Sequence, residues 1–254
     1  MDLDTSPWLR LRQFTRARIG LGRAGDSLPT RALLDFQMAH ALARDAVHGA
    51  VDWPRLAADL APLETIAICS AATERATYLR RPDLGRSLAP GEADKLPAGP
   101  WDVVLIIGDG LSASACDAHA AAVVKALIPR LQGLSVGPVV LASGARVALT
   151  DPIGAAMLAR LAVMLICERP CLSSADSLGA YLTFSPAPGR RDSERNCLSN
   201  IHAHGLSPDE AAAKIAWLAR EALRLGLTGV ALKEAAPDAA LAGQTRPGLE
   251  LDRP

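Results

Sequence analysis

Val103-Val-Leu-Ile-Ile-Gly108 runs directly into Asp109-Gly-Leu-Ser112. A short run with no polar alternation reads as a strand covered on both faces. The polar, glycine-bearing exit followed by Ser112 reads as a strand end and a helix cap. Beyond Ser112 the spacing turns helical, with Cys116, Ala120, Val123 and Leu127 predicting a helix to about Arg130. The same alternation extends in both directions. Residues 65–70, 139–142, 161–167 and 229–233 are further short aliphatic runs, and residues 180–185 suit an edge strand. Asp151 and Pro152 open another helix. Residues 207–225 give the clearest one: Ser207, Pro208 and Glu210 form a capping box, Ala211, Ile215, Leu218, Ala222 and Leu225 form its inner face, and Gly226 stops it. Strands alternating with helices predict an α/β protein, Rossmann-like, with a mainly parallel sheet flanked by helices.

Ahead of this unit lies an N-terminal helical segment. Residues 8–25 are rich in arginine and punctuated by glycine. Thr30 then suits an N-cap for a helix to about His48, with Leu33, Phe36, Ala43 and Val47 as its apolar stripe. Gln37, His40, Arg44 and His48 make a polar stripe beside it, a candidate subunit interface. Asp52 and Pro54 start a second helix to about Ala61. The expected division is an arm with helices over 1–61, an α/β domain over 62–233, and a flexible tail over 234–254, where periodicity is lost.

The 254 residues carry 27 Lys plus Arg and 27 Asp plus Glu, so no net positive charge favours nucleic acid. The longest uncharged stretch, residues 131–145, contains Gly and Pro and is too short to span a bilayer. No apolar signal region follows Asp2 and Asp4, and five cysteines, an odd number, suit reduced thiols, so a cytoplasmic location is expected.

Several motifs fail on context. Gly20-Leu-Gly22-Arg-Ala-Gly25 fits G-x-G-x-x-G, with Asp45 beyond it, but lacks a preceding buried strand. Asp117-Ala-His119-Ala-Ala-Ala122 approximates the D-x-H-x-x-G of enzymes that place histidine on cobalt, yet it ends in alanine and falls mid-helix. Cys167, Cys171, Cys197, His202 and His204 lack zinc-ligand spacing, so no metal site is expected. No G-x-S-x-G elbow is present for serine catalysis. What stands is Glu168, which ends the apolar run 161–167 and should emerge at the carboxyl rim of the sheet. There it either meets a ligand or pairs with Arg169 or Arg195.

Seven stretches, in order, resemble one family. They are residues 11–25, Leu33-Leu-Asp-Phe-Gln-Met-Ala-His40, residues 75–85, Asp109-Gly-Leu-Ser112, Arg146-Val147, Glu168-Arg-Pro170 and Glu194-Arg-Asn-Cys-Leu-Ser-Asn-Ile201. The family is the small subunit, or light chain, of ethanolamine ammonia-lyase. The resemblance implies conversion of ethanolamine to acetaldehyde and ammonia by radical chemistry of adenosylcobalamin, a cofactor bound base-on and shared with a large subunit. It implies a higher oligomer of large–small pairs, in the free cytoplasm or in a bacterial microcompartment. It places cofactor contacts at Val147, Glu168 and Cys197 and assigns no catalytic residue here, because the substrate pocket belongs to the large subunit. An isolated chain is then expected to be inactive. The alternative reading is a non-catalytic Rossmann-like module that binds another nucleotide-bearing ligand.

Overall fold

The computed structural model describes residues 7–12, 14, 15, 17–169 and 172–233. Its centre is a six-stranded sheet in the order β1-β3-β2-β4-β5-β6. The strands are β1 (Thr65–Cys69), β2 (Val103–Gly108), β3 (Val139–Ser143), β4 (Leu161–Ile166), β5 (Leu178–Phe184) and β6 (Arg195–Ile201). The helices are α1 (Pro7–Arg12), α2 (Thr30–His48), α3 (Trp53–Leu60), α4 (Arg75–Arg80), α5 (Ala113–Ala115), α6 (Ala121–Leu127), α7 (Thr150–Ala156) and α8 (Pro208–Leu225).

Every residue of β2 and β4 is buried, as two-sided cover requires. Val103, Leu105 and Ile107 face a core shared with α3, α6 and α8, while Val104 and Ile106 face the core under α7. The chain therefore leaves β2 toward one face of the sheet and leaves β3 toward the other. β3 and β2 are neighbours, so a crevice opens where their exits diverge, at the carboxyl edge.

The α/β class and the flanking helices match the sequence reading, but the sheet is mixed rather than mainly parallel. β1, β3, β2 and β4 pair in parallel, whereas β4–β5 and β5–β6 are antiparallel. The physical reason is the connection: among the described residues no helix stands between β4 and β5, and a parallel return needs a crossover, usually a helix. The strand order also differs from the 3-2-1-4-5-6 of the Rossmann fold. Residues 229–233 are a turn, not a strand. Asn196 holds them there, its Nδ2 donating to the carbonyls of Gly229 and Leu232, its Oδ1 accepting from Gly229 N.

Local signals fare as follows. Ser112 caps α5 by accepting from Ala115 N at 3.1 Å, and the path onward passes through a π turn, Cys116–Ala120, before α6. Ser207 and Glu210 form the capping box of α8, and Gly226 ends it with φ +71°. Asp52 caps α3 through Arg55 N. Thr30, by contrast, lies inside α2, and Pro29 holds the cap position without a side-chain bond. Leu33 and Phe36, expected to face inward, are exposed; α2 buries only Ala43 and Ala46. No described helix is long and apolar enough to cross a membrane. The expected tail, 234–254, lies outside the described residues.

Candidate functional site

The carboxyl edge is built by loops that cannot hold themselves. After β3 the chain turns at Gly144, whose φ of +65° and closeness to Ser70 Oγ and Ala72 O leave no room for a Cβ. Asp109, just past β2, fastens this turn: its carboxylate accepts from Gly144 N at 3.0 Å and Ala145 N at 2.9 Å. Burial pushes the Asp109 carboxyl above the usual range, opposed by those two N–H groups and by Arg75, 3.7 Å away. Tyr78, buried in α4, donates its hydroxyl to Ala145 O at 3.0 Å. The guanidinium groups of Arg75 and Arg146 lie over its ring, 4.7 and 4.2 Å from the centroid. Gly85 O accepts from Arg146 N at 2.8 Å.

Val147 therefore leaves a fixed turn. It opens a short 3-10 turn, Val147–Leu149, that runs into α7. Its N–H donates to Glu168 Oε1 at 3.3 Å. Glu168 stands just past β4, half-buried at the rim as expected. Arg195 is not its partner: Arg195 makes a two-pronged bond with Asp151 of α7, at 2.7 and 2.8 Å. Cys197, exposed on β6, lies opposite Tyr181 of β5, and the two side chains hydrogen-bond. The cleft walls partly desolvate its thiol and raise its pKa, so near neutral pH it is an uncharged SH group. Burial likewise raises the Tyr181 phenol.

Val147, Glu168 and Cys197 thus line one cleft of about 180 Å³. Arg86, Arg146 and Tyr181 add polar groups, beside Asp192 and the Asp151-bound Arg195. Sequence reading missed these three, although Arg146 sits beside Val147 in a quoted motif. The Nε of Arg146 is buried with no hydrogen-bond acceptor among the described residues. The cleft is far smaller than a corrin, so it can take only an edge of one, presenting an acceptor at Glu168 and donors at Arg86 and Arg146. That donor set suits neutral amide groups, which both give and accept hydrogen bonds.

The other motifs are not assembled. No cluster of His, Cys, Asp and Glu among the described residues could hold a metal; Cys171 lies outside them. His119 sits in the π turn, 3.8 Å from Asp176. The loop 20–25 follows no strand, and Asp45 lies in α2.

The sequence profile described as Ethanolamine ammonia-lyase light chain (EutC) matches residues 5–233. The chain belongs to the ethanolamine ammonia-lyase light-chain family. Relatives named ethanolamine ammonia-lyase small subunit include one from Bradyrhizobium diazoefficiens, 57% identical over 92% of this chain and 93% of that one. One from Rhodopseudomonas palustris is 57% identical over 88% of each. One from Azotobacter vinelandii is 48% identical over 94% of this chain and 92% of its own. Light-chain family members are by name the smaller part of a heteromeric lyase.

Proposed function

We propose that this chain is the small subunit of an ethanolamine ammonia-lyase, which converts ethanolamine to acetaldehyde and ammonia, and that it grips one edge of a cobalamin shared with the large subunit. Within that reading the grip belongs to residues 62–233, the large subunit carries the substrate pocket, and large–small pairs gather into a higher oligomer. The supporting observation is that three residues far apart in sequence, Val147, Glu168 and Cys197, line a single cleft. When bound, the cofactor supplies the radical chemistry. This chain's residues bind and orient. Glu168 accepts from an amide N–H of the corrin rim while its Oε1 also holds Val147 N, so ligand and loop share one carboxylate. Val147 gives apolar wall, and Cys197 gives a compact neutral thiol. Arg146 lends the cleft wall its positive charge.

The test is Glu168→Gln in the reconstituted two-subunit enzyme. The amide keeps an acceptor for Val147 N, so the fold should stand, while loss of the charge-assisted bond weakens cobalamin by roughly 1–2 kcal/mol. Affinity is read from the absorbance change on titration with cobalamin, independent of turnover. Unchanged affinity would remove Glu168 from the site. Ethanolamine turnover by the isolated chain would overturn the division of labour.

A further inference from the structure

α2 exposes Leu33, Leu34, Phe36, Met38 and Leu42, and of these Met38 and Leu42 lie on one side of the helix. Met38 and Leu42, joined by Leu172 across the groove, are apolar surface grouped in one place, which marks an interaction site. Between α2 and residues 172–176 runs a groove of about 670 Å³. Met38, Ala39, Leu42 and Leu172 give it an apolar floor. Its rim carries four carboxylates, Asp35, Asp45, Asp117 and Asp176, and no Lys, Arg or His is among the residues lining it. Asp45 has Arg44 at 3.9 Å, Asp176 has His119 at 3.8 Å and Asp117 accepts from Asp52 N, while Asp35 leaves the rim with a net negative character.

At 100° per residue, positions 35, 38, 42 and 45 fall on the side of α2 opposite Gln37, His40, Arg44 and His48. The polar stripe singled out in the sequence and the groove therefore lie on different sides of α2. The groove also adjoins the cofactor cleft: Glu168 lines the cleft, and residues 172–176, in the same β4–β5 connection, line the groove.

We propose that this groove docks an apolar segment flanked by Lys or Arg side chains, contributed by the large subunit. The inference rests on the function proposed above, because the groove continues the edge on which that subunit would close. An apolar centre with a charged rim supplies, respectively, the buried contact and the steering toward a basic partner.

The test compares full-length chains mixed with the large subunit and titrated for affinity. Met38→Asp with Leu42→Asp puts charge on the floor; Asp35→Asn with Asp45→Asn neutralises half the rim. The floor variant should lose at least tenfold in affinity. The rim variant should associate more slowly, and its rate should depend less on salt than the wild type. Because α2 already exposes these residues, each variant should keep the circular dichroism and melting temperature of the wild-type chain. His40→Ala with Arg44→Ala, across the helix, should bind as the wild type does. Wild-type affinity in the floor variant would overturn the proposal. So would a wild-type chain that dimerises alone through this face and becomes monomeric in the floor variant. If the wild-type chain itself fails to bind the large subunit, the functional reading falls first, which separates the two failures.

Discussion

Asp151→Ala tests how the β6 wall of the cleft is held. Arg195 and Asp151 are 2% and 4% exposed at their side chains, and their two bonds are 2.7 and 2.8 Å long. Removing the carboxylate strands a buried guanidinium, which typically costs about 3–5 kcal/mol. Three acceptors remain near it: Thr183 Oγ1 at 2.8 Å, Arg190 O at 3.1 Å and Asp192 at 3.8 Å. These offset part of the loss, so the low end, about 3 kcal/mol, is expected. For a chain of this size that corresponds to a fall in melting temperature of roughly 6–12 °C. Urea unfolding of the isolated chain measures it. Replacing both partners, Asp151→Leu with Arg195→Met, removes both buried charges and should recover most of the loss. Cys197 lies two residues beyond Arg195 on β6, so the single variant should also weaken cobalamin in the reconstituted enzyme. A loss below about 1 kcal/mol would mean the pair behaves like a surface ion pair and does not hold β6. A double variant no more stable than the single one would refute the stranded-charge reasoning.

Glu92 accepts from Lys95 Nζ at 2.7 Å and from Cys69 N at 3.1 Å, and the lysine bond holds its carboxyl below the usual range. A lowered folded pKa gives stability that is present above the ordinary carboxylate range and lost as pH falls through the folded value. The urea midpoint of Glu92→Gln should therefore trail the wild type at pH 7 and converge with it at pH 3; a gap of equal size at both would exclude the ion pair as cause. Gly110 has φ +52°, its Cβ would collide with Cys167 O, and Ile166 Cγ1 would be 2.6 Å away. Gly110→Ala should cost at least about 1–3 kcal/mol, and Gly91→Ala, with φ +80° but open space, distinctly less. Equal losses would mean that backbone strain alone, not the close approach of β4, fixes Gly110.

What the sequence made legible is what local chemistry dictates. β2 and β4 were readable because burial on both faces leaves no polar residue in the run. α8 was readable because its cap and its stop are local signals. β6 was not: Arg195, Asn196, Cys197, Ser199 and Asn200 are polar or small, and only Leu198 and Ile201 supply apolar burial beside the buried Arg195. Residues 229–233 looked like a strand from Val230 and Leu232, yet Val230 is 78% exposed and Asn196 sets the turn from β6, a contact invisible in sequence. On α2 the periodicity was real, but periodicity shows that a face is apolar, not which surface covers it. At the site, the rim position of Glu168 followed from the end of an apolar run. The partner of Arg195 did not, because Asp151 lies 44 residues away in a helix whose sequence gives it the look of a cap.

The quoted motif stretches make physical sense as one construction. The loop between β3 and α7 has no ladder of its own, so its backbone groups need partners from elsewhere. They come from Asp109 after β2, Tyr78 on α4, Gly85 beyond it, and Glu168 after β4. Each such bond is worth about 1 kcal/mol net, and the aromatic sandwich of Arg75, Tyr78 and Arg146 adds to their rigidity. A loop ordered before the ligand arrives spends none of the binding energy on its own ordering. On the proposed function, substitutions at Asp109 or Tyr78, which do not line the cleft, should therefore weaken cobalamin through Val147, read by the same titration as for Glu168→Gln.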